Sequence, residues 1–407
     1  MNKKKVAIIT SGYFPVPPVK GGAVETLVNI LYEENKTKNM LNLSVYSVYD
    51  KEAISVANMK FCSNIVYIKI PKFVKMFDKL SYFVFRSILR KKKHMSYRYI
   101  FQRLYYIKSV SKKIAKEDYE SIVIENHPTL LGILRKFGNS DKYRGKCYYH
   151  AHNEILRTFG YAKELNELKG FLCVSNYIGN TIHTILPNYP IENIKVLRNR
   201  VDEDKFRLIN SESILTFRAK HGIPNGCVLF TFIGRLTPEK GVKELLKAYK
   251  RAHPQNTKLV IAGSYFFGSG MKSEYEEELR ILSEEMKDDI IYTGYLDYND
   301  MPCMYAVSDV IVIPSIWNDP APLTVIESLT CGKPVITTYS GGIPEYASKK
   351  NSIILDVGDD LVDNLCSAIS LLSQNVDTRN YLIKNAQVDR DNWKKEDYYN
   401  EFISLIS

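Results

Sequence analysis

Residues 317–345 read WNDPAPLTVIESLTCGKPVITTYSGGIPE. Leu323, Ile326, Leu329 and Thr330 recur at helical spacing, which predicts a helix from about Pro322 to Cys331. Pro322 suits its first turn, where the missing N–H would be unpaired anyway. Gly332 and Pro334 end it, and Val335 to Thr338 reads as a short buried strand. On this otherwise apolar helix sits Glu327, between Ile326 and Ser328 and one turn from Cys331, with Asp319 eight residues ahead of it. A carboxylate in apolar company is unfavourable unless donors satisfy it. Vicinal ribose hydroxyls are one such pair of donors; a backbone N–H or a lysine is the other reading.

Toward the N-terminus, Val310 to Ile313 with Pro314-Ser315 forms the strand that leads into this stretch. Cys227 to Ile233 is an earlier strand, followed by Gly234-Arg235-Leu236-Thr237-Pro238-Glu239-Lys240-Gly241 and a helix marked by Val242, Leu245, Leu246 and Tyr249. Two cations five apart, on a loop between a strand end and a helix N-terminus, suit a diphosphate, because charge, amides and dipole act together. The alternative is a surface loop pairing with Glu239 or Glu244. Lys258 to Ala262 and Ile290 to Thr293 are further strands, the second followed by Gly294-Tyr295-Leu296. Beyond Thr338, Gly341-Gly342 offers amides to phosphate, and Glu345 either orients that loop or bonds a sugar hydroxyl.

The first half repeats the pattern. Val6 to Thr10 is a strand, Ser11 to Gly22 a loop rich in Pro and Gly, and Val24, Leu27, Val28 and Leu31 mark a helix. Gly21 and Gly22 would let a phosphate or sugar approach the backbone amides at that helix start. Strand-like runs follow at Leu43 to Tyr49, Ile65 to Ile70, Ser121 to Ile124, Cys147 to His150 and Phe171 to Val174. Helical stretches between most of them predict a doubly wound parallel sheet, which binds ligands at the carboxyl ends of its strands. His127 and the pair His150/His152 fall there. Zinc fits the pair poorly, since no third ligand is evident in sequence. Asp202 and Asp204 make a formal D-x-D that does not end an apolar strand, so no divalent cation is implied.

A chain of 407 residues suggests two domains. The longest apolar runs are too short to span a bilayer, and Met1 to Pro18 reads as a first strand and loop, not a signal peptide. Seven cysteines without a CxxC pair fit a reduced compartment. The formal charge is +11, yet residues 69–116 hold fifteen Lys/Arg against the single acid Asp78, a net +14, leaving −3 for the rest. Aromatics such as Phe73, Phe77, Phe83, Phe101 and Tyr105 interleave with those charges. A solvated face, nucleic acid and an anionic membrane surface are the candidate readings. The membrane fits best, and no nucleic-acid module is present.

The segment Asp319 to Glu327 resembles the E-x7-E signature of nucleotide-sugar glycosyltransferases of family four, and Gly234 to Gly241 resembles that family's G-R-L-x-x-x-K-G motif. The resemblance, closest to bacterial capsular or exopolysaccharide enzymes, implies a GT-B fold of two Rossmann-like domains facing across a cleft. Residues 1–197 would form the acceptor side, with 390–407 packing back on it as a terminal helix, and 198–389 the nucleotide-sugar side. It implies sugar transfer from a nucleoside diphosphate sugar, a UDP-sugar, to an acceptor hydroxyl with retention and without metal, the acceptor a glycan or lipid-linked glycan.

By motif position, Arg235 and Lys240 would neutralise the leaving diphosphate, Asp319 and the amides of Ala321, Leu323 and Thr324 would hold the sugar, and Glu327 the ribose. Gly234, the loop Gly294-Tyr295, Gly341, Gly342 and Glu345 would complete the donor site, and His152, with His150 as alternative, would approach the donor sugar. The implied location is the cytoplasmic face of the cell membrane, peripherally bound. Three departures stand out: Asp319 replaces Glu, Asp-Pro-Ala-Pro replaces Glu-Pro-Phe-Gly, and Arg200 replaces a glycine, so the turn there is either reshaped or strained. Sugar-nucleotide epimerisation or hydrolysis, and a non-catalytic sugar-nucleotide or membrane-binding scaffold, are the rival functions.

Overall fold

The computed structural model describes residues 3–60, 62, 64–83, 99–207, 209–264 and 274–407. The Arg90–Lys93 run of the basic segment lies outside them. The chain divides into two compact units, Met1–Val174 with Ile178–Leu197 and Tyr399–Ser407, and Ser175–Tyr177 with Arg198–Tyr398.

In the first unit, seven parallel strands run in the order β3-β2-β1-β4-β5-β6-β7. They are β1 (Lys5–Ile9), β2 (Asn42–Val48), β3 (Ile65–Ile68), β4 (Ser121–Glu125), β5 (Cys147–Ala151), β6 (Gly170–Cys173) and β7 (Ile194–Val196). The second unit has six parallel strands in the order β10-β9-β8-β11-β12-β13. These are β8 (Val228–Ile233), β9 (Thr257–Ala262), β10 (Ile290–Gly294), β11 (Val310–Ile313), β12 (Val335–Thr338) and β13 (Ser352–Leu355).

Every residue of β4, β5, β6, β11 and β12 is buried. Helices cover both faces of such a sheet, so its inner strands read as continuous apolar runs without alternation. In the second unit, successive residues feed opposite layers. Leu229, Val260, Ile311 and Val335 pack with Val325, Ile326 and Leu329; Phe230, Leu259, Val310, Val312 and Ile336 pack with Val242, Leu245 and Leu246. The helices supplying those layers are Leu323–Thr330 and Val242–Ala252. Pro322 stands just ahead of the first as its cap residue.

Strand order reverses between β1 and β4 in one sheet and between β8 and β11 in the other, which opens a crevice at their carboxyl ends. Two loop pairs there come within backbone contact. A Cβ on Gly263 would lie 1.8 Å from the Gly234 carbonyl oxygen, and one on Gly342 would lie 1.9 Å from that of Pro320. Only glycine permits either approach.

The return to the first unit begins at Tyr399, later than residue 390. Trp393 stacks on Tyr346 at 5.4 Å, and Lys395 Nζ lies 2.7 Å from Asp202 and 2.6 Å from Asp204, so these residues stay with the second unit. Beyond them Tyr399, Phe402 and Ile406 are buried, and the Tyr399 hydroxyl donates to Asn35 Oδ1 at 2.5 Å. Arg200 is not among the residues with positive φ, so the turn that family members make with glycine is reshaped here, not strained.

Candidate functional site

In the second unit, the loop after β8 carries Arg235 and Lys240. Its last turn, Pro238–Lys240, is fastened to the loop after β11: Ile316 N–H and the Ser315 hydroxyl both donate to the Glu239 carbonyl, at 3.0 and 3.4 Å. That fastening brings Lys240 Nζ to 2.5 Å from Asp319 Oδ2, over the Trp317 ring at 6.0 Å. Asp319 is buried and Lys240 largely so. Arg235 differs. Its side chain is 47% exposed, and its nearest carboxylate, Glu239, stands 3.7 Å off, a surface pair of little energetic weight.

Gly341 and Gly342 lie against the Asn318–Pro320 backbone, and Gly342 N–H donates to the Asp319 carbonyl at 2.8 Å. This bond braces Asp319 from the far side. Ala321 keeps its carbonyl on Asn199 Nδ2 at 3.2 Å, and Leu323 and Thr324 form the first turn of the helix that carries Glu327. Beside Arg235, a cavity of about 210 Å³ opens between Gly234, Gly263, Tyr295, Leu296 and Met301. Gly294 ends β10 at its rim, joined to Gly263 by a backbone hydrogen bond of 2.9 Å.

Glu327 is 3% exposed, and its Oε2 accepts from the Tyr305 hydroxyl at 2.7 Å. Burial pushes its pKa up to about 7, against the pull of the Tyr305 and Tyr298 hydroxyls. The buried Tyr298 hydroxyl makes no hydrogen bond of normal geometry. Neither tyrosine was legible as a partner, because neither lies within one helical turn of Glu327 in sequence; Tyr305 stands 22 residues before it and comes into reach only through the fold. Glu345 is committed to the Asn176–Tyr177 turn: its Oε2 accepts from Asn176 N–H and from Asn176 Nδ2, and its Oε1 from Tyr177 N–H, each at 2.8 Å. Of its two readings, the loop-orienting one matches these bonds.

In the first unit, His152 and His150 meet a third group, Glu125 at the end of the neighbouring strand β4. This corrects the expectation that the pair stands without one. Glu125 Oε2 lies 2.7 Å from His152 Nε2 and 3.1 Å from His150 Nδ1, with all three side chains buried. The three could in principle hold a divalent ion, but ligands on a tetrahedral zinc stand roughly 3.4 Å apart. A separation of 2.7 Å is that of a direct hydrogen bond. Burial pushes Glu125 toward neutrality, yet the two imidazoles outweigh it and hold the carboxyl at about 2. Burial, then His150, lowers His152 to about 4. At neutral pH the carboxylate is therefore charged and the His152 ring neutral, its Nε2–H directed at Glu125.

His127 serves as a cap, with Nδ1 accepting from Thr129 N–H at 3.3 Å. Arg103, which the sequence reading passed over, reaches the same loops: Nε donates to Thr129 Oγ1 at 3.0 Å and Nη1 to the Ser11 carbonyl at 2.5 Å, beneath the Tyr13 ring. Gly21 and Gly22 both take positive φ ahead of the helix Ala23–Lys38. A Cβ on Gly22 would strike Glu25 Oε2 at 2.4 Å, and Glu25 itself is buried against the Ser11 hydroxyl, with burial pushing it up to about 7.

Residues 213–389 match the sequence model of the glycosyl transferases group 1 family. The putative glycosyltransferase YtcC of Bacillus subtilis is 25% identical over 392 residues, covering 94% of this chain and 86% of that protein. The lipopolysaccharide 1,2-N-acetylglucosaminetransferase of Salmonella typhimurium is 23% identical over 358 residues, covering 84% and 82%. Among solved structures, Anabaena HepE in complex with UDP and glucose superposes with a TM-score of 0.72 at 16% identity, covering 100% of this chain and 99% of its own. WaaG, a glycosyltransferase involved in lipopolysaccharide biosynthesis, superposes with a TM-score of 0.66 at 16% identity, covering 99% of each. Residues 213–389 thus form a glycosyl transferases group 1 domain, and the chain is a glycosyltransferase of the GT-B fold.

Proposed function

We propose that the chain transfers a glycosyl group from a UDP-sugar to the hydroxyl of a lipid-linked glycan, with retention, as a peripheral protein at the inner face of the cell membrane. The observation that carries the donor assignment is the Lys240–Asp319 pair, which joins the loops after β8 and β11, with Arg235 on the same loop as Lys240 and lining the neighbouring cavity. The nucleobase enters the cavity walled by Gly234, Tyr295 and Leu296, where an apolar lining suits a flat ring and the backbone of Gly294-Tyr295 reads its edge. Glu327 takes the ribose hydroxyls. Arg235 and the Lys240 ammonium face the diphosphate, with the amide of Gly341 beside it. Asp319 and the amides of Ala321, Leu323 and Thr324 hold the sugar.

In the transfer, the bond from the anomeric carbon to the β-phosphate oxygen breaks, the bond to the acceptor oxygen forms, and the acceptor proton passes to the departing diphosphate. Negative charge grows on that leaving group, so Arg235 and Lys240 act mainly on the transition state. Lys240 is held in the free protein by Asp319, which keeps the ammonium placed before the donor arrives. UDP-bound HepE supports the choice of base by fold likeness. No metal has a role in this scheme; the diphosphate charge is met by the two side chains and the loop amide.

Thermal unfolding in the presence of UDP, GDP, ADP and dTDP, each with and without a divalent cation, tests the donor site. A ligand bound only by the folded state at a hundred times its Kd raises stability by about 2.7 kcal/mol. Stabilisation by UDP alone, lost in Glu327→Ala, is the expected result. Equal response to all four nucleotides, or none, overturns the assignment. Epimerisation or hydrolysis would show as an isomerised or free sugar in the product mixture, without a new glycoside.

A further inference from the structure

The helix Lys72–Phe83 in the first unit is turned inside out. Phe73, Met76, Phe77, Leu80 and Phe83 fall at i, i+3, i+4, i+7 and i+10, the spacing of a core-facing stripe, yet each is between 50% and 61% exposed. The buried residues of this helix are Val74 and Asp78. Asp78 explains the orientation: its Oδ1 accepts from Phe101 N–H and its Oδ2 from Gln102 N–H, both at 2.9 Å, capping the helix Ile100–Ile114. A carboxylate bonded to two helix-terminal amides is a strong, directional anchor. It rotates the apolar stripe outward and removes the segment's single acid from the surface. Phe101 extends the stripe, its ring 6.1 Å from Phe77.

From this geometry we infer that the outward face of Lys72–Phe83 is a membrane-docking surface, inserting its phenylalanines into the interface of an anionic bilayer. A contiguous exposed apolar stripe marks a binding surface, and the surrounding charge selects the partner. Lys72, Lys75 and Lys79 are exposed along the stripe, as is Lys69 before it. Residues 84–98, which follow in sequence, add six Lys/Arg and no acid. A second copy of the chain is disfavoured, because a two-fold contact through this face would set lysines against lysines. Nucleic acid would satisfy the charge but offers no apolar phase for five large side chains. A bilayer interface offers both, with anionic headgroups for the ammonium groups and acyl chains for the rings. The inference rests on the proposed lipid-linked acceptor for its purpose, and on these side chains alone for the surface.

The test uses the full-length chain pelleted with sucrose-loaded vesicles of phosphatidylcholine, with and without phosphatidylglycerol, at 0.1 M salt. The wild type is expected to pellet with the anionic vesicles. Phe77→Asp combined with Leu80→Asp should abolish this, and Lys75→Ala with Lys79→Ala should weaken it by about fivefold per lysine lost. Leu80→Trp should report burial in the bilayer through quenching by brominated acyl chains. Stabilisation by UDP, measured on the same preparations, reads the donor site separately. A wild type that ignores anionic vesicles, binding unchanged by the Phe77/Leu80 double substitution, or a solution dimer dissolved by it would each overturn the docking surface while UDP binding persists. Loss of UDP binding in the wild type would instead overturn the donor reading.

Discussion

The crevice ends of the two sheets hold their ionisable groups in opposite ways. In the first unit, Glu125 spends both oxygens on His150 and His152, and no member of the trio is more than 8% exposed. In the second, Lys240 and Asp319 make one short pair, Arg235 faces solvent with a loose partner, and Glu327 is buried with a pKa near 7. One end is a closed network in which the carboxylate is already met by both rings, with His150 Nε2 left buried and without a partner. The other keeps cations and a half-satisfied carboxylate in an arrangement that a diphosphate and a ribose would complete. A settled network rigidifies a scaffold, whereas an incomplete one stores binding energy for a ligand.

The largest effect that separates the two ends should come from Lys240. Lys240→Ala removes a cation from the leaving group and should lower kcat on the order of 10²- to 10³-fold. It also strands buried Asp319, at a stability cost on the order of 3 kcal/mol. Adding Asp319→Ala should restore most of the unfolding temperature and none of the turnover. Steady-state kinetics with calorimetry on the single and double variants check this. Turnover recovering along with stability would mean that Lys240 is structural.

A middle-sized effect is expected at the closed end. Glu125→Ala leaves two imidazole N–H groups buried without an acceptor, at roughly 2–4 kcal/mol in all. Glu125→Gln keeps one acceptor and should cost less. Glu125 is held at about 2, below an ordinary carboxyl, so it stabilises the fold above pH 4.5 and that contribution is lost as pH falls toward 2. His152, lowered to about 4, declines a proton that the unfolded chain accepts from pH 6.5 downward, so stability also falls as pH drops through that window. Buried Glu25, raised to about 7, works in the other direction between pH 7 and 4.5. The difference between wild type and Glu125→Gln, followed from pH 7 to 4, isolates the trio from it. A difference that stays constant with pH would break the contrast between the two ends.

How much of this was legible depends on sequence distance. The strands, the glycine loops and the helix with Glu327 follow from local periodicity and from steric rules that need no partner, and they fall where the spacing places them. The pairings do not. Lys240 finds Asp319 across 79 residues because β8 and β11 are neighbours, and Glu125 finds its histidines because β4 lies beside β5. A single sequence shows two histidines two apart, but not which strand runs next to them. The inverted helix Lys72–Phe83 was half legible: its charge and aromatics stood out, while its outward face depends on Asp78 capping a helix that starts 22 residues later.

The smallest but most discriminating effect concerns Glu327, where stability and function should part. The folded protein binds an extra proton at Glu327 between pH 4.5 and about 7, so stability falls as pH rises through that window. Glu327→Gln removes the buried charge and keeps an acceptor for the Tyr305 hydroxyl. Its unfolding temperature relative to wild type should therefore climb between pH 5 and pH 8. Its affinity for UDP should drop by about 10- to 100-fold at pH 8, the loss expected when hydroxyls meet a neutral acceptor in place of a charged one. At pH 5, where the wild-type acid is itself protonated, the two proteins should bind alike. Titration calorimetry in buffers of different ionisation heat adds an independent sign: ribose hydroxyls favour the carboxylate, so UDP binding to the wild type near pH 7 should release protons, and binding to Glu327→Gln should not. Proton uptake by the wild type would place the ribose elsewhere and leave Glu327 as a structural acid held by its tyrosines.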